Sequence, residues 1–108
     1  MVKRYFITGD EMIYRMPKEL DHHMARQMSV EIDGLIDTMN IRNIIFDFKE
    51  TSFMDSSGIG VIIGRCKKIH YLNGNIAAVN ISNRIEKVFR AAGLYKIINV
   101  EDCVNGDE

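Results

Sequence analysis

The sequence predicts an α/β fold: a mixed, largely parallel β-sheet with helices packed on it. Three observations carry this. Short runs rich in β-branched and aromatic residues alternate with longer stretches whose apolar residues recur every three or four positions, in the order β-β-α-β-α-β-α-β. Strands that alternate with helices require crossover connections and therefore parallel neighbours. The chain has 108 residues, enough for one hydrophobic core and too few for two. Residues 1–100 are read as a single domain and residues 101–108, "EDCVNGDE", as a short acidic tail.

Each element has its own justification. "KRYFITG" and "EMIYRMP" read as two strands of a hairpin turned at Gly9-Asp10, with Pro17 closing the second because it has no N–H to give a ladder. In "ELDHHMARQMSVEIDGLIDTMN" the residues Met24, Met28, Ile32, Leu35, Ile36 and Met39 form the stripe of an amphipathic helix, and Asp21 can cap it. "IRNIIFDF" carries apolar residues on both faces, as a central strand does, and "KETSFMD" is read as a loop. From Ser56 the helical spacing returns in Ile59, Ile62, Ile63, Cys66 and Ile69, and Asn73-Gly74 ends it. "NIAAVN" is a short strand. Ser82 caps a third helix with Ile85, Val88 and Phe89 inward, Gly93 stops it, and "LYKIINV" is the last strand.

Composition excludes several classes of function. Apolar residues make up 46% and charged residues 27%, a globular balance. With 14 basic and 15 acidic residues the formal charge is −1, so there is no basic stripe for DNA or RNA. No apolar run approaches the ~20 residues of a membrane span, and the N-terminus does not read as a signal peptide. The expected location is therefore the cytoplasm, where Cys66 and Cys103 are expected as free thiols, Cys66 within the core. His22, His23 and His70 with scattered carboxylates do not form a ligand set, and no metal is expected.

The chemistry concentrates in "FMDSSGIG", Phe53 to Gly60, where a strand-like run hands over to a helix. Four readings of its serines stand side by side. A serine there is a common N-cap, with Asp55 suited to the helix dipole. A nucleophile is disfavoured because the hydrolase elbow spacing is absent. The glycine spacing matches neither a Walker loop nor a dinucleotide fingerprint, which leaves only weak nucleotide binding open and calls for no cofactor. A phosphorylation site is cheap for the fold, because a helix N-terminus tolerates an anion.

"ELDHHMA" (Glu19–Ala25), "FMDSSGIGVIIGRCK" (Phe53–Lys67) and "AAGLYKII" (Ala91–Ile98), in this order and spacing, resemble the bacterial anti-sigma-factor antagonists. These are single STAS domains, and the likeness is to the sporulation-type (sigma-F circuit) members. The resemblance spans about Lys3 to Val100 and implies a regulatory protein and not an enzyme. It implies an unphosphorylated form that binds an anti-sigma factor, itself a serine kinase, and so releases the sigma factor. Phosphorylation after the motif aspartate, here at Ser56, switches binding off, and a metal-dependent serine phosphatase reverses it.

Relatives with Thr in place of the second serine point to Ser56 over Ser57; the residues alone leave the two open. The resemblance further implies partner-binding roles for Asp21, His22, His23, Asp55, Ser56, Ser57 and Gly58, the glycine by letting a partner backbone come close. Arg65 and Lys67 are placed on a rim, with solvated charge the stronger reading. Cys66 stands where an aromatic residue is frequent, and the C-terminal part is short. The alternative is a STAS subunit of a stress-signalling or other regulatory scaffold, or a nucleotide-binding STAS protein.

Overall fold

A computed structural model describes residues 3–101. Its elements are β1 (Tyr5–Thr8), β2 (Glu11–Arg15), β3 (Glu19–Leu20), α1 (His22–Met39), β4 (Asn43–Asp47), β5 (Phe53–Met54), α2 (Ser56–Tyr71), β6 (Asn75–Val79), α3 (Asn83–Ala92), a 3-10 turn over Leu94–Lys96, and β7 (Asn99–Glu101). With the two-residue strands and the 3-10 turn set aside, the order is the expected one.

Five strands form one sheet in the order β1-β2-β4-β6-β7, antiparallel between β1 and β2 and parallel elsewhere. Gly9, at φ +62, supplies the left-handed residue of the β1–β2 hairpin. β4 is central, hydrogen-bonded to β2 on one side and β6 on the other. The strand period of two sorts its side chains. Met12, Ile44 and Ile76 lie in one cross-strand row and Tyr14, Phe46 and Ala78 in the next, and all six are buried. The opposite face holds Phe6, Ile13, Ile45 and Ala77 and is more open, with Phe6 58% exposed.

All three helices are tied to the buried face. Ala25, Met28, Ile32 and Ile36 of α1 enter the core with Val61, Ile62, Cys66 and Ile69 of α2. Phe89 of α3 meets Phe48 edge to face, and Phe48 meets Phe46 in the same way. The Tyr14 hydroxyl reaches out of the core to donate to Glu31 Oε1 of α1 at 2.6 Å. Burial, followed by that carboxylate, raises the phenol far above its ordinary pKa.

Three readings need correction. "LYKIINV" is not one strand. Gly93 turns left-handed at φ +71, and the N–H groups of Ile97 and Ile98 both bond back to Leu94 O, so pairing with β6 begins only at Asn99. Glu101 belongs to β7, and the rest of the expected acidic tail, with Cys103, lies outside the described residues. Met39, the last residue of α1, is exposed and not part of the buried stripe; Asn40 then takes the left-handed C-cap, and the next apolar residue, Ile41, is fully buried. The turn after α2 is fixed by Gly74. A Cβ there would lie 2.0 Å from Arg42 O, and its own N–H bonds to Ile69 O.

Candidate functional site

The site is built by the two shortest strands. β3 and β5 pair in parallel, with Glu19 opposite Phe53 and Leu20 opposite Met54. The Thr51 hydroxyl, buried, donates to Pro17 O at 2.8 Å, and Ser52 N–H donates to Lys18 O, which sets this register. The next residue on each chain is therefore equivalent: Asp21 after β3 and Asp55 after β5. Their backbones nearly coincide, at φ −97, ψ −176 and φ −103, ψ −171. Each caps its own helix. Asp21 Oδ1 accepts from Met24 N–H at 3.0 Å; Asp55 Oδ1 accepts from Ser57 N–H at 2.9 Å and Gly58 N–H at 3.3 Å. Two helix N-termini thus lie side by side, "DHH" beside "DSS".

Neither serine is the cap of α2, contrary to the cap reading of its hydroxyls. The carboxylate of Asp55 takes that role, and both serines sit in the first turn beyond it. Ser56 is exposed, and its hydroxyl makes no hydrogen bond among the described residues. Ser57 is half-buried, with Oγ 3.5 Å from His22 Nδ1, so the second serine faces α1 while the first faces out. His23 is exposed and lies against Gln27, with 3.1 Å between the two side-chain nitrogens.

Gly58 is buried, and the close approach expected of a partner's backbone is made by the chain itself. A Cβ at Gly58 would stand 2.7 Å from Leu20 Cγ, 2.7 Å from Met54 Cγ and 2.8 Å from Leu20 O. The glycine lets α2 start directly against β3 and so fixes the spacing of the two N-termini.

Beyond the N-termini, α1 and α2 meet along a polar seam. Arg65 does not stand on a rim: its side chain is 14% exposed, its Nη1 donates to Ser29 Oγ at 2.7 Å, and its Nε lies 3.0 Å from Asp33 Oδ1. The latter is an ion pair without hydrogen-bond alignment. Lys68 Nζ pairs with Asp37 Oδ1 at 3.1 Å further along, and Lys67 is exposed. Between this clamp and the N-termini runs an open groove of about 250 Å³, lined chiefly by His22, Arg26, Ser29, Ser57, Gly60 and Arg65. The sequence held its signature: 22, 26, 29 and 33 fall on one helical face, as do 57, 61, 65 and 68. The exposed ring of Phe53 beside the serines was likewise missed, because a two-residue strand has no periodicity to read.

Burial raises the Cys66 thiol to about 11, partly offset by Arg65, so it is a core residue without thiolate character near neutrality. Among the described residues no three His, Cys, Asp or Glu side chains cluster to hold a metal. None of the described helices is long and apolar enough to cross a membrane.

Comparison with known proteins agrees with this architecture. The family profile described as STAS domain matches residues 3–105. An anti-sigma F factor antagonist of Paenibacillus polymyxa is 34% identical over 91 residues, covering 84% of this chain and 78% of the relative. An anti-sigma-B factor antagonist of Listeria monocytogenes is 29% identical over 105 residues, covering 94% and 83%. The unphosphorylated form of the anti-sigma factor antagonist SpoIIAA superposes with a TM-score of 0.82 at 32% identity, over 92% of this chain and 84% of that one. SpoIIAA of Bacillus in its phosphorylated form gives 0.75 at 32% identity, over 92% and 87%. A sheet with its helices on one face, two aspartate-capped N-termini set side by side, and these matches together place the chain in the STAS-domain family of anti-sigma-factor antagonists.

Proposed function

We propose that this protein is an anti-sigma-factor antagonist of the sporulation type, switched by phosphorylation at Ser56. Its unphosphorylated form binds an anti-sigma factor that is also a serine kinase, and so frees the sigma factor. The kinase transfers a phosphoryl group from ATP: Ser56 Oγ attacks the γ-phosphorus, gives up its proton, and ADP leaves. A metal-dependent serine phosphatase returns the hydroxyl through attack by water. The protein is a substrate in this cycle, works in the cytoplasm, and needs no cofactor of its own. Asp21, His22, His23, Asp55 and Ser57, at the two helix N-termini set side by side, meet the partner, with Phe53 adding apolar area beside the serines.

The observation that carries this reading is the exposed, unengaged Ser56 hydroxyl next to a cap that does not depend on it. A phosphate adds about −1.5 to −2 charge. The helix N-terminus favours an anion by about 0.3–1 kcal/mol, and Asp55 keeps its cap bonds, so the domain keeps its shape. The same charge facing a docked surface costs several kcal/mol, and each 1.4 kcal/mol is about tenfold in affinity. Support comes from SpoIIAA, whose unphosphorylated and phosphorylated forms both superpose on this fold. The "DSSG" motif and the 34% identity to an anti-sigma F factor antagonist favour the sporulation circuit over the stress circuit. Incubation with the cognate kinase and ATP, followed by peptide mapping, tests the reading. Label on Ser56 is expected; label elsewhere or none overturns it.

A further inference from the structure

We infer that the groove between α1 and α2 receives an acidic side chain of the partner kinase, with Arg26 as its principal cation. The inference rests on the proposed function and adds the specificity contact that would dock the kinase beside Ser56.

Over a floor that includes Ala25 and Val61, the groove presents two guanidinium groups, an imidazole and two hydroxyls, and among the described residues no carboxylate lines it. Its nearest acids are turned elsewhere: Asp21 and Asp55 cap their own helices, and Asp33 is held by Arg65. Arg65 is committed to Asp33 and Ser29, so it contributes the floor. Arg26 is different. It is exposed, it makes no ion pair among the described residues, and the positions three and four away on α1 (His22, His23, Ser29 and Val30) carry no acid. A cation with no internal partner above a groove free of carboxylates is complementary to an incoming acid.

Gly60 lines the groove, and a Cβ there would meet nothing within 4 Å, so a larger side chain at this position has room to project over the groove. Ser56 faces out, and Ser57, the next residue of the same helical turn, lines the groove, so the footprint of a kinase docked at Ser56 extends to the groove mouth. A free anion needs no such proximity, and this is why the occupant is assigned to the kinase. The assignment also gives the switch a second component. A phosphate on Ser56 places like charge beside the seated carboxylate, so the modification expels the side chain that docking requires.

The test measures kinase binding by the full chain and by Arg26→Glu and Gly60→Met. Arg26→Glu is expected to weaken binding by about tenfold or more and to flatten its salt dependence, with an unchanged circular dichroism spectrum. Gly60→Met fills the groove at an open helical position, so binding should fall while the melting temperature does not. A kinase carrying a Lys in place of the matching acid should recover Arg26→Glu. Wild-type binding with both variants unaffected would overturn the groove assignment alone. No wild-type binding would overturn the proposed function with it. Saturable shifts of the Arg26 and His22 NMR signals with ATP alone would assign the groove to a nucleotide instead.

Discussion

Gly58→Ala tests the packing that sets the site, and its sign opposes the one helix propensity gives. Alanine is favoured over glycine in a helix interior by about 1 kcal/mol. At position 58, however, the new Cβ would stand 2.7 Å from two buried side-chain carbons and 2.8 Å from the Leu20 carbonyl, where ordinary contact begins at 3.4 Å. Leu20 and Met54 are both buried core residues, and the carbonyl belongs to β3 itself, which pairs with β5. Three simultaneous overlaps put the cost near the upper end of overpacking, about 3 kcal/mol, and the net loss near 2 kcal/mol. The melting temperature should fall by about 10 °C. Gly60→Ala, two residues on and facing open space, should raise it by a few degrees, up to about 1 kcal/mol of gain. The effect of alanine on the unfolded chain is common to both variants and cancels in their difference. Thermal and urea unfolding followed by circular dichroism measure that difference. If Gly58→Ala proved as stable as Gly60→Ala, the close approach of α2 to β3 would be wrong.

Two further outcomes follow from the capping and the core. Asp55→Ala should lose about 1–2 kcal/mol, combining two cap bonds with the charge at the helix N-terminus, whereas Asp55→Asn keeps the cap and should lose no more than about 1 kcal/mol. Equal losses in urea titrations would mean that charge, and not capping, holds the end of α2. The Cys66 thiol is raised to about 11 in the folded protein, so between its ordinary value and that pH the unfolded chain has released a proton that the native state retains. Stability is therefore full below the ordinary thiol range and declines as pH rises toward 11, by about 2–3 kcal/mol. Cys66→Ser should flatten that part of the profile, and an unchanged slope would remove the thiol as its cause.

How legible the site was depends on the range of the interactions that build it. The helices and long strands were readable because their periodicity is local: Met28, Ile32 and Ile36 on one side and Ile62, Cys66 and Ile69 on the other are core residues in both sequence and structure. Ser82 and Asp21 were legible as caps for the same reason. β3 and β5 were not, since two residues have no period and their pairing depends on Thr51 reaching Pro17 across 34 positions. The cap of α2, one of four open readings of the serines, falls to Asp55 because Asp and Ser compete at adjacent positions and only the backbone turn decides between them. Gly58 was expected to meet a partner; its actual neighbour, Leu20, is 38 positions away and comes close only through that same short pairing. The Arg26 groove escaped notice because it exists only when two helices lie together.

The most direct test of the central claim compares Ser56-phosphorylated and unmodified protein in two measurements on the same samples: affinity for the anti-sigma kinase and thermal unfolding. The account predicts an affinity loss of about tenfold or more, with a melting temperature within a few degrees. Undiminished affinity, or a loss that appears only together with a collapsed unfolding transition, would contradict it.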